Sequence, residues 1–207
     1  MNMKNFITFE GGECSGKTTV INEIIKMFNE KNIKYISTRE PGGIKIAEKI
    51  RNIILDIDNK EMTPECEALL YAAARMQHLK EKVIPAINDG NVVICDRFLD
   101  SSIAYQGVAR GLGVNNVLNI NSFATNYLPG LTIFIDVKPE IALKRLTLRD
   151  KSDRLDLETI DFHNNVYKGY QEVLKLYPDR IKVINGNQPL DGVIKDCKKA
   201  VLDYLGV

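Results

Sequence analysis

The chain of 207 residues has no tryptophan and only two histidines, His78 and His163. With imidazole this scarce, a metal centre built on histidine is not expected. Its four cysteines, Cys14, Cys66, Cys95 and Cys197, stand far apart with no Cys-x-x-Cys pair. That spacing excludes a zinc framework and suits a reducing compartment. Nowhere do about 18 apolar residues run together, as a membrane-spanning helix requires. The N-terminus, Met1-Asn2-Met3-Lys4-Asn5-Phe6, enters a strand-like run with no apolar stretch of signal-peptide length. No membrane contact and a cytoplasmic location are therefore expected. Net charge is also lacking: 28 Lys and Arg against 27 Asp and Glu leave +1, which argues against a nucleic-acid partner held by bulk positive charge. Neither repeats nor low-complexity segments occur. What is present is ordinary globular composition, 44% hydrophobic and 27% charged, in a length that suits one domain over residues 1–207. Such a chain buries roughly 70% of its unfolded surface and needs no disulfide or metal to fold.

Short apolar runs alternate with helix-like segments. The runs Phe6–Phe9, Tyr35–Ser37, Val92–Cys95, Ile133–Val137 and Ile181–Ile184 are predominantly apolar rather than alternating in polarity, as strands covered on both faces are. Helices are expected over Lys17–Asn29, Ile46–Leu55, Pro64–Ile87, Val117–Tyr127, Pro139–Leu148, Phe162–Leu176 and Leu190–Leu205. Thr63-Pro64 provides an N-cap and a first-turn proline, and Asp89-Gly90 closes that segment. The alternation predicts an α/β fold, a five-stranded parallel doubly wound sheet flanked by helices. Ligands of such sheets sit beyond the carboxyl ends of the strands.

Gly11-Gly12-Glu13-Cys14-Ser15-Gly16-Lys17-Thr18 fits G-x-x-x-x-G-K-[ST], after a strand and before a helix that opens with Thr19. Glycines let such a loop wrap phosphates with its N–H groups, and the helix N-terminus faces the same anion. Lys17 would reach the β- and γ-phosphates, and the Thr18 hydroxyl would hold Mg2+. A GTPase switch protein is disfavoured, because neither an Asn-Lys-x-Asp segment nor a strand followed by Asp-x-x-Gly occurs. Asp96 directly follows the buried Val92–Cys95 run. It can orient Mg2+ and its waters, or serve as a helix N-cap or ion-pair partner.

The chain has only nine arginines, and Arg39, Arg51, Arg75 and Arg97 cluster between the first and third strands. Planar guanidinium groups suit a phosphate dianion that must be held in line with a phosphoryl donor, although any one of them alone would read as a solvated charge. With Phe9-Glu10-Gly11, Thr38-Arg39-Glu40-Pro41-Gly42-Gly43, Asp96-Arg97-Phe98 and Asp100-Ser101-Ser102-Ile103-Ala104-Tyr105-Gln106-Gly107, the sequence closely resembles the thymidylate kinase family over nearly its whole length. The resemblance implies a P-loop kinase fold, ATP as phosphoryl donor, Mg2+, dTMP as acceptor and a homodimer. It also implies that Arg75 and Arg97 contact the dTMP base or phosphate, that Arg39 lies beside the transferring phosphate, and that Arg51 and Glu40 belong to the acceptor site. Tyr71 stands where the family often has a phenylalanine stacked on thymine, though helix core is the other reading for such a ring. Ser102 and Gln106 match polar positions of the base pocket. Tyr105 matches the residue closing the space beside the sugar 2′ carbon, and Glu13 matches an acidic position near the acceptor sugar.

Leu146 to Leu155 is dense in charge. A solvated loop is the ordinary reading; the resemblance instead implies a lid, about 147–158, closing over ATP. No arginine stands in the glycine loop, so the lid arginines Arg149 and, as second choice, Arg154 are expected to supply the catalytic cation, while Arg145 matches a residue stacking on adenine. The competing functions are a kinase for another nucleoside monophosphate such as dUMP and a P-loop regulatory protein.

Overall fold

The computed structural model describes residues 3–146 and 153–207. Five strands, β1 (Met3–Glu10), β2 (Tyr35–Arg39), β3 (Val92–Asp96), β4 (Pro129–Asp136) and β5 (Ile181–Asn185), form one parallel sheet in the order β2-β3-β1-β4-β5. The chain winds to one side of β1 and then to the other, which places the ligand crevice at the carboxyl end of β1. Each strand ends on a polar residue: Glu10, Arg39, Asp96, Asp136 or Asn185. Register carries Arg39 and Phe9 alongside Asp96, so the sheet itself delivers charged side chains to one edge.

The helices are α1 (Lys17–Glu30), α2 (Lys45–Leu55), α3 (Pro64–His78), α4 (Ile84–Asn88), α5 (Leu99–Ser102), α6 (Val114–Ile120), α7 (Pro139–Leu146), α8 (Ile160–Leu176) and α9 (Leu190–Leu205). On one face of the sheet, α1 and α9 pack Val20, Ile24, Phe28, Val193 and Val201 against Ile7, Phe9, Ile94 and Ile133. The opposite face is covered by Leu79, Val83, Phe98, Leu99 and Ile103, around Phe6, Val93 and Cys95.

The single helix expected over Pro64–Ile87 is interrupted. A π-helical turn, Leu79–Val83, separates α3 from α4. Pro85, in the first turn of α4, has no N–H to donate and its ring would clash with a carbonyl four residues back, so the spiral widens there. Thr63 caps α3 as expected, its hydroxyl accepting from the Cys66 N–H at 3.3 Å. The expected Val117–Tyr127 helix instead begins at Val114 and stops at Ile120. Asn121 turns its side-chain amide back to the Val117 carbonyl at 2.9 Å, a local alternative to the helical ladder. Unforeseen from sequence is the helical stretch formed by α5 and the π-helical Ile103–Ala109. Its Ser101-Ser102 and Gly107 read locally as loop residues.

Candidate active site

The glycine loop begins where β1 ends. Gly11, at φ +150°, is required: a Cβ there would stand 2.8 Å from the Ile135 carbonyl oxygen of the neighbouring strand and 2.8 Å from Ser15 Oγ. Gly16, in the left-handed region, turns the chain into α1. Lys17 is buried, with its ammonium 3.0 Å from the carbonyl oxygens of Gly11 and Gly12 and 3.3 Å from Ser15 Oγ. Burial and the nearby Arg97 push its pKa below the usual lysine range. Thr18 and Thr19 are exposed on the first turn of α1. They line a cleft of about 1220 Å³ together with Cys14, Arg39, Arg51 and Asp96. Asp96 Oδ1 is buried there without a hydrogen-bond partner.

Arg97, at the turn after β3, has φ 68°, a conformation that a long side chain holds only when its surroundings fix it. Its guanidinium donates to the Gly11 carbonyl (3.0 Å), Ser101 Oγ (3.2 Å), Tyr170 Oη (3.1 Å) and Glu13 Oε1 (2.5 Å). It also lies 5.1 Å from the centre of the Tyr105 ring. Burial disfavours its charge, but Glu13, Tyr105, Tyr170 and Asp96 together outweigh that and hold its pKa above the usual arginine range. Tyr105 closes the group, its hydroxyl donating to Glu13 at 2.8 Å. Beneath lies Glu10, 1% exposed, accepting from the Phe98 N–H (2.7 Å), Ser101 Oγ (2.5 Å) and Tyr170 Oη (2.9 Å). Burial and then Asp100 raise its pKa to about 7. Sequence reasoning missed Glu10, Ser101 and Tyr170 as supports of Arg97; Tyr170 is 160 residues distant from Glu10 in the chain.

A second pocket, about 300 Å³, is lined by Tyr71, Arg75, Phe98, Ser102 and Gln106. Glu67, Tyr71, Arg75 and His78 recur at helical spacing and present one face of α3 to it and to the adjoining core. Arg75 is 1% exposed and makes four hydrogen bonds: Nε donates to Glu40 Oε2 (2.8 Å), Nη1 to Asn121 Oδ1 (2.6 Å), and Nη2 to the Phe98 carbonyl (3.1 Å) and Ser102 Oγ (3.0 Å). Glu40 also faces His78 Nδ1 at 3.0 Å, and His78 Nε2 meets Thr38 Oγ1 at 2.7 Å. Glu40 therefore fixes Arg75 from behind. His78, set aside as a metal ligand, completes that support. Burial raises the Tyr71 phenol well above its usual range, so this ring stays neutral beside the pocket. Gln106 donates through Nε2 to Glu67 Oε1 at 2.8 Å.

The remaining arginines divide. Arg39 is half exposed and forked onto Glu48 at 2.8 and 2.9 Å, and Arg51 donates to the Pro41 carbonyl at 3.0 Å. Both line the large cleft. Arg145 reaches the Cys14 carbonyl at 3.3 Å, on the outer side of the glycine loop. Arg154, expected over the phosphates, is elsewhere: its Nε donates to the Ile54 carbonyl at 2.8 Å and its Nη2 pairs with the buried Glu67. The buried Glu67 carboxylate thus holds the Arg154 guanidinium beside α3 in this structure. Arg149, with the lid portion 147–152, lies outside the described residues. Among the described residues no cluster of three or more His, Cys, Asp or Glu could hold a metal ion. No helix of theirs is long and apolar enough to cross a membrane.

A glycine loop between a central parallel strand and a helix, with a buried lysine and an arginine-lined pocket opening beside it, defines a P-loop nucleotide kinase. The sequence model described as thymidylate kinase matches residues 9–197. The chain is 56% identical to the thymidylate kinase of Clostridium novyi over 201 residues, covering 96% of this chain and 98% of that one. It is 52% identical to the thymidylate kinase of Oceanobacillus iheyensis over 203 residues, covering 97% and 90%. The crystal structure of thymidylate kinase from Ehrlichia chaffeensis superposes with a TM-score of 0.76 at 29% identity, over 98% of both chains. The chain belongs to the thymidylate kinase family, a family of phosphotransferases.

Proposed function

We propose that the chain transfers the γ-phosphoryl group of ATP to the phosphate of dTMP, giving ADP and dTDP. One observation carries this reading: the phosphate cleft and the arginine-lined pocket share Glu13, Glu40, Tyr71, Arg97 and Leu155. Donor and acceptor would meet at Arg97. Phosphoryl transfer asks the protein mainly for positioning and charge neutralisation. Lys17 would exchange its loop carbonyls for phosphate oxygens, and Arg39, Arg51 and Arg97 would hold the acceptor phosphate in line. Tyr71 would stack on the base with Arg75 behind it, and Glu13 with Tyr105 would close the sugar side. Arg145 would lie against adenine, and Arg149 would bring the lid cation.

Thr18 and Asp96 would hold Mg2+; the unpartnered buried Oδ1 of Asp96 suits a hard cation that keeps most of its ligands as water and phosphate. Mg2+ supplies neutralisation of phosphate charge. A cytoplasmic location is supported by the absence of any disulfide among the four cysteines. The single-domain reading is supported by one continuous sheet. A homodimer is supported by an exposed apolar face on α3 and the segment after α6, where Leu69 is 57% and Phe123 74% exposed.

ADP release tests the reading, measured with ATP and Mg2+ plus dTMP, dUMP, dGMP, dCMP or AMP. We expect turnover to require a monophosphate and to be fastest with dTMP. Replacing Lys17 with alanine is expected to lower kcat by at least about 10²-fold, the effect of losing one preorganised charge contact. ADP release at the same rate without any monophosphate would overturn the kinase assignment.

A further inference from the structure

A pocket that accepts a pyrimidine nucleotide must still tell one base edge from another. Gln106 lines that pocket and is 1% exposed. Its amide has a donor face and an acceptor face of nearly equal shape, and which one meets the base decides which base fits. Glu67 settles the matter. This residue sits in the first turn of α3, 1% exposed. Its Oε2 accepts from Arg110 Nη2 at 3.1 Å and pairs with Arg154 Nη2. Its Oε1 accepts from Arg110 Nε at 3.3 Å and from Gln106 Nε2 at 2.8 Å. Burial alone would favour the neutral acid, but Arg110, Arg154 and the Gln106 amide together outweigh it and hold the carboxyl below its usual range. An ionised carboxylate accepts and cannot donate. The reverse amide orientation would set oxygen against oxygen in a buried site, so only the Gln106 nitrogen can face Glu67. The Gln106 carbonyl oxygen is then what the side chain offers the pocket, and among the described residues no group donates to it.

We propose that Glu67 is a specificity-determining positioning residue: by claiming the Gln106 amide nitrogen it presents an acceptor to the base, selecting pyrimidines whose ring nitrogen carries a hydrogen between two carbonyls and rejecting those with a bare ring nitrogen beside an amino group. The inference rests on the reading of this pocket as the acceptor-nucleotide site. Thymine and uracil share the accepted edge, whereas cytosine presents the rejected one. The two arginines serve the same end, because without them the buried carboxyl could take up a proton and donate to the amide oxygen.

The test compares kcat/KM for dTMP, dUMP and dCMP, at saturating ATP and Mg2+, in the unaltered chain, Glu67→Gln and Gln106→Met. A glutamine at 67 can meet either face of the Gln106 amide, so the lock is released. Preference for dTMP over dCMP is expected to fall about tenfold or more, the weight of one buried hydrogen bond gained or lost. The dTMP to dUMP ratio is expected to stay within about twofold, since the two bases share the edge being read. Gln106→Met keeps the volume and removes both amide faces; it is expected to lose the same discrimination, and it decides the matter if Glu67→Gln does not fold. An unchanged dTMP to dCMP ratio in Glu67→Gln, including a proportional loss with all three substrates, would overturn the proposal, as would a Gln106→Met protein that still discriminates. An unaltered chain that fails to turn over dTMP would instead overturn the functional reading beneath it.

Discussion

Glu10 is a fully buried carboxylate beneath the site, and its protonation has a consequence for folding. Its pKa rises from the ordinary 4.5 to about 7, through burial first and Asp100 second. An unfolded chain releases this proton near pH 4.5, while the folded chain keeps it to about pH 7. Between those values the folded state binds more protons, so stability falls as pH rises through the window. The shift corresponds to about 3 kcal/mol. Glu10→Gln removes the titration while keeping a side chain that can bond Ser101 and Tyr170. Urea denaturation followed by circular dichroism at pH 5 and pH 8 is expected to show the unaltered protein losing about 3 kcal/mol more than Glu10→Gln across that interval. Equal losses would mean that Glu10 is already ionised in the fold at pH 5. The same residue shows where the sequence stops being readable. Lys17, Thr18 and the glycines are recognisable because their contacts lie within one loop of fixed spacing. Glu10, Glu67 and Tyr170 act through partners up to 160 residues away, and no local pattern reveals those partners, although Glu10 itself stands in the Phe9-Glu10-Gly11 motif.

Strands and most helices were legible because a continuous apolar run bounded by turn residues has few other uses in a chain this size. The stretch from Leu99 to Ala109 was not, because its shape is set from outside. Helix α8 crosses it at Gly169, where a Cβ would stand 2.6 Å from Ala104 Cα and 2.7 Å from its carbonyl oxygen. That approach seats Tyr170 against Arg97 and Glu10, with its ring 4.9 Å from that of Phe134. Tyr105 and Gln106 follow directly after Ala104, so the acceptor pocket is positioned by one helix–helix contact. Backbone atoms cannot yield as a flexible side chain would. Gly169→Ala is therefore expected to cost about 1–3 kcal/mol in stability, the usual penalty of overpacking a tight contact. It should also raise KM for dTMP more than KM for ATP, because Tyr105 and Gln106 adjoin this crossing directly, whereas the ATP loop meets it only where the Tyr170 hydroxyl reaches the Gly11 carbonyl at 3.3 Å. Thermal denaturation and steady-state kinetics check both; a stable variant with unchanged dTMP KM would show that the crossing is slack.

Helix α3 serves two surfaces at once. Its inner face sends Tyr71 and Arg75 into the acceptor pocket, and its outer face sends Leu69, Ala72, Ala73 and Met76 into a shallow apolar groove completed by Phe123 and Ala124. Apolar side chains grouped in this way, with Phe123 74% and Leu69 57% exposed, are what one subunit presents to another. The proposed homodimer would cover this groove with a second copy of the chain. The two faces are also joined internally, since Asn121, at the rim of the groove, accepts the Arg75 guanidinium at 2.6 Å. A charge at the centre of an apolar interface must be desolvated without a partner. Phe123→Asp is therefore expected to shift the sedimentation-equilibrium mass from two chains to one at micromolar concentration. With α3 no longer braced from outside, KM for dTMP is expected to rise severalfold, while KM for ATP, bound at the other side of Arg97, changes little. Retention of the two-chain mass by Phe123→Asp would place the interface elsewhere. A one-chain mass with unaltered dTMP kinetics would mean that Arg75 is held by its own subunit alone, through Glu40, Ser102 and Asn121.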